Sequence, residues 1–125
     1  MRTGFDEALS HRIEAGADIF LMPSLYEPCG LNQMFSLKYG TIPIVRAVGG
    51  LKDTVQPYDG AADTGTGFVF APYTAQALLE AVDQSIAGFK NKTAWTALRR
   101  RAMAMDFSWD GSAKRYVDLY QQLIN

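Results

Sequence analysis

The chain has 125 residues, with 12 basic and 13 acidic side chains and a formal net charge of −1. This length suits one domain with a buried core, and the near-neutral charge argues against charge-driven binding to nucleic acid or an anionic membrane. A single cysteine excludes an internal disulfide. One cysteine and one histidine are too few to form a zinc site of the usual ligand number without Asp or Glu. No apolar run approaches the roughly 18 residues of a membrane-spanning helix. We therefore predict no metal, nucleic-acid or membrane partner, and a reducing, cytoplasmic location.

The first part of the chain alternates helical and strand patterns. Asp6 can cap a helix that Gly16 stops, and the continuous apolar run at 17–22 predicts a strand covered on both faces, as in parallel sheets. A second helix follows and is closed by Gly40. Its apolar stripe, broken only by the lysine, consists of Leu31, Met34, Phe35 and Lys38.

The rest of the chain adds two strands and three helices. A strand at 42–48 ends at Gly49 and Gly50, which predict a turn, and an irregular loop at 52–66 precedes a short strand at 67–71. The residues predicted to cap or open the last three helices are Thr74, Thr93 and Ser108. Their predicted apolar faces contain Leu78, Leu79, Val82 and Ile86, then Trp95, Leu98, Ala102 and Met105, then Trp109, Ala113, Tyr116, Val117, Tyr120 and Leu123.

This order of elements, α-β-α-β-loop-β-α-α-α, predicts the fold class. Strands that alternate with helices imply right-handed crossovers and a layered α/β fold with a parallel sheet. About three strands are too few for a complete doubly wound domain, so we expect the carboxy-terminal part of a larger one. The strand at 17–22 would then lack a neighbour, and its exposed edge would favour self-association.

Ligands of such sheets bind where the strands reach their carboxyl ends. Two segments lie there, "PSLYEPCG" at 23–30 and "VGGLKD" at 48–53, which we name the first and second rim segments. Pro28 disfavours a helical conformation for Glu27 and keeps this acid extended at the rim, while Gly30 permits a close approach of the backbone to a ligand.

The start of the helix after the first rim segment suits an anion. The free amides of Gly30, Leu31 and Asn32 would face outward there, with the positive end of the helix dipole behind them, which favours a phosphate. An ionised Glu27 beside an anion is unfavourable unless it accepts hydrogen bonds from neutral groups such as sugar hydroxyls. Together, the free amides and Glu27 favour a ligand that has phosphates at one end and a sugar at the other. The alternative is that Glu27 and Pro28 form an ordinary turn before a helix and bind no ligand.

Other candidate residues have simpler structural interpretations. Cys29 fits a small buried packing residue, because a catalytic thiol needs a base and the one candidate, His11, fits a solvated or structural role in the first helix. A bare turn and a second close approach to the ligand both stay open for Gly49 and Gly50. The arginines at 99–101 predict a solvated helix face. Four aromatic residues are predicted to be core: Trp95, Trp109, Tyr116 and Tyr120.

Two long stretches resemble a known family. The segments at 12–55, "RIEAGADIFLMPSLYEPCGLNQMFSLKYGTIPIVRAVGGLKDTV", and 104–123, "AMDFSWDGSAKRYVDLYQQL", closely resemble the carboxy-terminal region of bacterial glycogen synthases and plastid starch synthases. The resemblance implies a retaining GT-B glycosyltransferase with two Rossmann-like domains. Such enzymes move glucose from ADP-glucose to the non-reducing end of an α-1,4-glucan, without a metal or other cofactor. Residues 1–125 would be the carboxy-terminal part of the C-terminal, donor-nucleotide-binding domain, and the amino-terminal domain would lie outside this chain.

The resemblance also implies roles for individual residues. Glu27, the acid of the "EPCGL" motif, would be the catalytic residue that contacts the donor glucose. The implied substrate-binding residues are Cys29 in the glucose pocket, Gly30, Leu31 and Asn32 in a phosphate cradle, and Gly49 and Gly50 at the donor cleft. Broader relatives carry a ribose-binding acid where this chain has Phe35, so no ribose acid is assigned.

Three functional hypotheses follow. In the first, the chain is part of a glycogen or starch synthase, in the cytoplasm or in a plastid if the source is a plant. The family's phosphate-neutralising arginine and lysine fall outside these residues, so the chain alone is expected to be inactive. The second is a non-catalytic module that binds a nucleotide sugar or self-associates. The third, a UDP-sugar transferase of the same architecture, is disfavoured by "EPCGLNQ" at 27–33.

Overall fold

The computed structural model describes residues 3–124, which form one parallel three-stranded sheet with flanking helices. The strands, in the sheet order β1-β2-β3, are β1 Ile19–Met22, β2 Ile42–Arg46 and β3 Phe68–Phe70. Within residues 3–124 the helices are α1 Glu7–Gly16, α2 Asn32–Tyr39, α3 Gly49–Thr54, α4 Ala75–Lys90, α5 Lys92–Met103 and α6 Trp109–Ile124. The predicted α/β fold with a parallel sheet is confirmed.

β2 is the centre of the core because both other strands pair with it. Ile19 of β1 pairs with Ile42, and Ile44 pairs with Phe68 of β3. The buried hydrophobic core side chains that are at most 1 % exposed are Leu37, Ile42, Ile44, Val45, Leu51, Val55, Leu98 and Ala102. β1 lies at the edge of the sheet, and its Leu21 is 52 % exposed. The prediction that 17–22 is covered on both faces is therefore wrong.

Three of the predicted helix ends are confirmed. The Asp6 carboxylate accepts a hydrogen bond from the Leu9 amide at 3.0 Å, and the Thr74 hydroxyl caps α4 in the same way. Gly40 closes α2 in the left-handed region, with φ 77°. Each of these caps involves residues within about one helical turn of each other, so it can be predicted from the local sequence.

Two other predicted helix ends are wrong. Gly16 remains inside α1, and the extended conformation of Ala17 ends this helix instead. Asn91 caps α5 by accepting from the Ala94 amide at 3.2 Å, so Thr93 lies within the first turn. Asn and Thr are both strong N-cap residues, and here the earlier of the two takes the position.

The predicted faces of α2 and α4 are also corrected. α2 buries Gln33, Ser36 and Leu37, while Leu31 and Phe35 of the expected stripe are exposed. The Ser36 hydroxyl can be buried because it donates to the Gln33 carbonyl at 2.9 Å. α4 buries Ala81 and Ser85, and the two members of its predicted face that are exposed are Leu79 and Ile86.

The last two helices differ in how far they join the core. α5 buries Trp95, Leu98 and Ala102, as predicted. None of the described residues of α6 is buried, and the exposed fraction of Trp109 is 86 %. The prediction that Trp109, Tyr116 and Tyr120 belong to the core is therefore wrong. No helix within residues 3–124 is both long enough and apolar enough to cross a membrane.

The arginines at 99–101 are more than a solvated face. Arg99 donates to the Gly40 carbonyl at 2.9 Å and so holds the end of α2 against α5. Arg101 donates to the Gly65 carbonyl and forms a 2.6 Å ion pair with Asp63. Arg99 and Arg100 are both exposed, in agreement with the solvated-face prediction, whereas Arg101 is half-buried.

Candidate functional site

The two predicted rim segments meet at one edge of the sheet. They follow β1 and β2, which are parallel neighbours, so both leave the sheet at its carboxyl edge. The amide of Gly50 donates to the carbonyl of Pro28 at 3.2 Å, which joins the two segments directly. The candidate residues of the two rim segments, which include Glu27, Cys29, Gly49 and Gly50, therefore lie together.

Gly49 and Gly50 make this contact sterically feasible. A β-carbon at Gly49 would lie 1.9 Å from the carbonyl oxygen of Glu27, and one at Gly50 would lie 2.2 Å from that of Cys29. Gly49 also has φ +46°, in the region that favours glycine. The predicted turn is wrong, because these glycines begin α3, which shortens the irregular loop to 55–67. The close approach they permit is between the two rim segments, and a direct approach to a ligand stays a prediction.

Glu27 is half-buried at this edge of the sheet. The hydroxyl of Ser24 lies 3.5 Å from its Oε2, at the outer limit of a hydrogen bond. An ionised carboxylate can accept about four hydrogen bonds, so this weak contact leaves most of its capacity free. The side chain can therefore accept further donors from a bound molecule.

The start of α2 exposes unpaired amides beside Glu27. Within residues 3–124, the N–H groups of Gly30, Leu31 and Asn32 have no hydrogen-bond acceptor, and no side chain caps the helix. Gly30 has φ +73°, which turns the chain sharply into the helix. Unpaired amides at a helix N-terminus form a site for an anion such as a phosphate. The geometry is therefore compatible with the predicted phosphate cradle.

Cys29 does not have the buried packing role expected from its residue type. Its side chain is exposed, and its sulfur lies 3.5 Å from the Gly30 carbonyl oxygen. The backbone of this residue faces the interior instead, against Gly50. His11 packs on α2, with its ring centroid 5.4 Å from that of Phe35 and its Nδ1 3.2 Å from the hydroxyl of Tyr39. Its predicted structural role is supported by these contacts.

Two polar residues that pack against the rim segments, Gln33 and Thr54, were not predicted from the sequence. Gln33 is fully buried, and its Nε2 donates to the carbonyls of Cys29 at 3.1 Å and Gly30 at 3.0 Å and to the hydroxyl of Thr54 at 3.1 Å. The Thr54 hydroxyl donates in turn to the Gly50 carbonyl at 2.6 Å. Gln33 is the second residue of α2 and its partner Thr54 lies in another segment, so no pattern in the local sequence marks either side chain.

Arg46 is a third residue that sequence analysis did not identify. It ends β2, and its guanidinium donates to the carbonyls of Leu25 at 2.8 Å and Ala71 at 3.1 Å. The same group lies over the Tyr73 ring, 5.2 Å from its centroid. Arg46 thus fixes the first rim segment to the chain that leaves β3.

A protein family and several known proteins match most of this chain. The profile of the family "Glycosyl transferases group 1" matches residues 3–97. The glycogen synthase of Anaeromyxobacter sp. (strain K) is 62 % identical over 122 residues, which are 98 % of this chain and 26 % of that protein. The glycogen synthase of Koribacter versatilis is 54 % identical over 98 % of this chain and 25 % of its own length. The chain therefore spans about a quarter of these relatives.

Solved structures agree with the family assignment. The catalytic domain of starch synthase IV from Arabidopsis thaliana, bound to ADP and acarbose, superposes with a TM-score of 0.85 at 40 % identity, covering 95 % of this chain and 25 % of that one. Sucrose-phosphate synthase from Thermosynechococcus elongatus gives a TM-score of 0.68 at 31 % identity, covering 98 % and 29 %. The chain therefore belongs to the group 1 glycosyl transferases, and its Rossmann-like α/β fold matches part of a GT-B catalytic domain.

Proposed function

We propose that this chain is the donor-binding part of a glycogen or starch synthase that transfers glucose from ADP-glucose to the non-reducing end of an α-1,4-glucan, with retention of configuration. The observation that carries the proposal is the 62 % identity to a glycogen synthase across 98 % of the chain. Residues 1–125 are the carboxy-terminal part of the C-terminal domain in this proposal. A cytoplasmic location, or a plastid in a plant, goes with it.

The unpaired amides at the start of α2 are proposed to bind the diphosphate of the donor. Gly30, Leu31 and Asn32 leave three N–H groups without acceptors within the described residues. Backbone amides with the helix dipole behind them stabilise the negative charge that develops when the diphosphate leaves. The ADP bound to the Arabidopsis relative supports a ligand of this type.

Glu27 is proposed to be the catalytic residue that holds the donor glucose. Its carboxylate is half-buried and has one weak contact, to Ser24, so it can accept hydrogen bonds from sugar hydroxyls. Cys29, exposed next to the same edge, is proposed to line the glucose pocket. Gly49 and Gly50 are proposed to flank the donor cleft, and they hold α3 against the backbone of Glu27 and Cys29.

The remaining three quarters of such a protein are proposed to supply the acceptor surface and the cations that neutralise the diphosphate. Arg46, the arginine that ends β2, is engaged with the backbone carbonyls of Leu25 and Ala71. A diphosphate leaving group without cations loses its largest electrostatic support. Residues 1–125 alone are therefore expected to be inactive.

A chimera tests the proposal. The matching quarter of the Anaeromyxobacter glycogen synthase is replaced by this chain, and incorporation of labelled glucose from ADP-glucose into glycogen is measured. Activity within about tenfold of the parent is expected, since a tenfold change corresponds to only about 1.4 kcal/mol of barrier. UDP-glucose is the matched donor, and a preference for it would favour the third hypothesis. A folded chimera that transfers neither sugar overturns the proposal.

The edge of β1 favours self-association as a second function. This strand ends the sheet within residues 3–124, and its Leu21 is 52 % exposed. An unpaired apolar edge is a template for another strand. Sedimentation of the isolated chain should therefore show a dimer that Leu21→Lys converts to a monomer. A wild-type chain that stays monomeric at high concentration contradicts this second function.

A further inference from the structure

We propose that Gln33 and Thr54 are positioning residues that aim the amides of Gly30 and Leu31 at the phosphates of the donor. The inference rests on the proposed function. It assigns a role to Gln33 and Thr54, a hydrogen-bonded pair beneath the rim segments, in addition to the residues proposed to contact the ligand. Neither side chain need contact the ligand. Both act through the backbone that they hold.

The direction of each hydrogen bond in this pair is fixed by its neighbours. The Thr54 hydroxyl donates its one proton to the Gly50 carbonyl at 2.6 Å, so toward Gln33 its oxygen can only accept. Rotating the Gln33 amide by half a turn would place its oxygen against the carbonyl oxygens of Cys29 and Gly30, which are acceptors as well. Nε2 must therefore face all three acceptors, and the order Gln33 to Thr54 to Gly50 joins the two rim segments.

Holding these carbonyls also fixes the neighbouring amides. The carbonyl of Cys29 and the N–H of Gly30 belong to one planar trans peptide unit, and so do the carbonyl of Gly30 and the N–H of Leu31. In such a unit the two groups point in opposite directions. Because the buried Gln33 draws both carbonyls inward, both N–H groups point away from it, toward the open edge.

Gln33 is poorly suited to a purely stabilising role. Its Oε1 is buried and lacks a hydrogen-bond partner within the described residues, and a buried unpaired acceptor is unfavourable. The same oxygen lies 2.5 Å from the position of a β-carbon at Gly30, so a side chain there would displace the Gln33 amide. An apolar side chain would fill the space without the unpaired atom. The presence of an amide at this position is explained by the hydrogen bonds that Nε2 of Gln33 donates to the Cys29 and Gly30 carbonyls.

Substitutions of Thr54 separate positioning from folding. Thr54→Val removes the hydroxyl but keeps the branched side chain, and Thr54→Ser keeps the hydroxyl. Thr96→Val is the matched control, because the Thr96 hydroxyl makes the same bond to a carbonyl four residues earlier, on α5. In the chimera, Thr54→Val should lower kcat/KM for ADP-glucose by about fivefold, the effect of one neutral hydrogen bond. KM for glycogen should match that of Thr96→Val, and Thr54→Ser should restore the donor value.

A double-mutant cycle tests whether the two residues act together. Gln33→Leu should lower donor kcat/KM further than Thr54→Val, and the double variant should be no worse than Gln33→Leu alone. Independent effects, or a Thr54→Val chimera with unchanged donor kcat/KM, overturn the inference. If the unsubstituted chimera is inactive, the proposed function fails, and a titration of the isolated chain decides the inference.

In that titration, pyrophosphate is added to the isolated chain, and the amide resonances of Gly30 and Leu31 are followed by NMR. Both should shift, and Thr54→Val should raise the Kd by about fivefold relative to Thr54→Ser, again the effect of one hydrogen bond. Equal Kd values for the two variants overturn the inference. The absence of any shift at these two amides in the wild-type chain overturns it as well.

Discussion

The carbonyl oxygen of Glu27 lies 1.9 Å from the point that a β-carbon at Gly49 would occupy. No side chain can be added at position 49 unless one of the two backbones moves, because both contacting atoms are main-chain atoms. The segment after β2 is thereby fixed to the residue proposed to hold the donor glucose. Gly49 thus helps to set the backbone position of the residue that we propose as catalytic.

Gly49→Ala should therefore lower both stability and activity. The new methyl group collides with the Glu27 carbonyl, and φ +46° is unfavourable for alanine by about 1–2 kcal/mol before the collision is counted. Urea denaturation of the isolated chain measures the loss. Gly88→Ala in α4 is the control, since its β-carbon would meet no atom closer than 3.5 Å and should add up to about 1 kcal/mol. Equal midpoints for Gly49→Ala and wild type would contradict the steric argument.

Glu27→Gln should lower transfer by the chimera by about 100-fold, the usual effect of losing one electrostatic group in an active site. The amide keeps the size of the carboxylate but loses its charge, so its hydrogen bonds to sugar hydroxyls weaken. Initial rates with ADP-glucose provide the measurement. Glu80→Gln makes the same chemical change at an exposed site on α4 and should leave the rate unaltered. A Glu27→Gln rate near that of Glu80→Gln would remove Glu27 from the site.

Burial of Glu14 predicts a pH dependence of stability. The side chain is 5 % exposed and its Oε2 is unpaired, and burial raises its pKa above the ordinary 4.5, while the charge of His11 lowers it in part. Because the folded state holds this proton more tightly, the contribution to stability is complete below 4.5 and is lost as pH rises through the raised pKa. Glu14→Gln, which stays neutral, should therefore raise the free energy of unfolding at neutral pH more than in acid.

The control for Glu14 is Glu7→Gln in the first turn of the same helix, where the carboxylate is exposed and favours the helix dipole. It should lower stability slightly at neutral pH, opposite in sign to Glu14→Gln. Urea titrations of both variants on either side of the ordinary glutamate pKa give the comparison. A stability difference for Glu14→Gln that does not change with pH would show that its ionisation is not coupled to folding.

Features that depend on adjacent residues could be predicted from the sequence. The Asp6 cap acts on an amide three residues away, and the parallel sheet follows from the alternation of helices and strands. The rim segments could be located for the same reason, because strand order alone puts them at one edge. Their direct contact through Gly50 could not, since it depends on how α3 packs.

The orientation of side chains around α2 depends on distant contacts. The hydrogen bond from Gln33 to Thr54 joins residues 21 positions apart, and it turns a polar side chain into the core while Leu31 stays exposed. Periodicity of apolar residues cannot detect a polar side chain whose partners lie in another segment. The exposure of the Cys29 side chain has a similar cause, because the backbone of this residue packs inward against Gly50. Buried residues beneath the proposed site are thus harder to predict from sequence than the residues at its surface.

The exposed thiol of Cys29 gives the last prediction. Because this is the one cysteine of the chain, iodoacetamide should label the folded isolated chain at a rate close to that of the urea-unfolded chain. In the chimera, ADP-glucose should slow labelling of the peptide that contains Cys29 if this residue lines the glucose pocket. Mass spectrometry of that peptide follows the reaction.

ADP alone is the control for this experiment, since it would occupy the proposed phosphate site and leave the glucose pocket open. Equal protection by both ligands, or by neither, would remove Cys29 from the pocket.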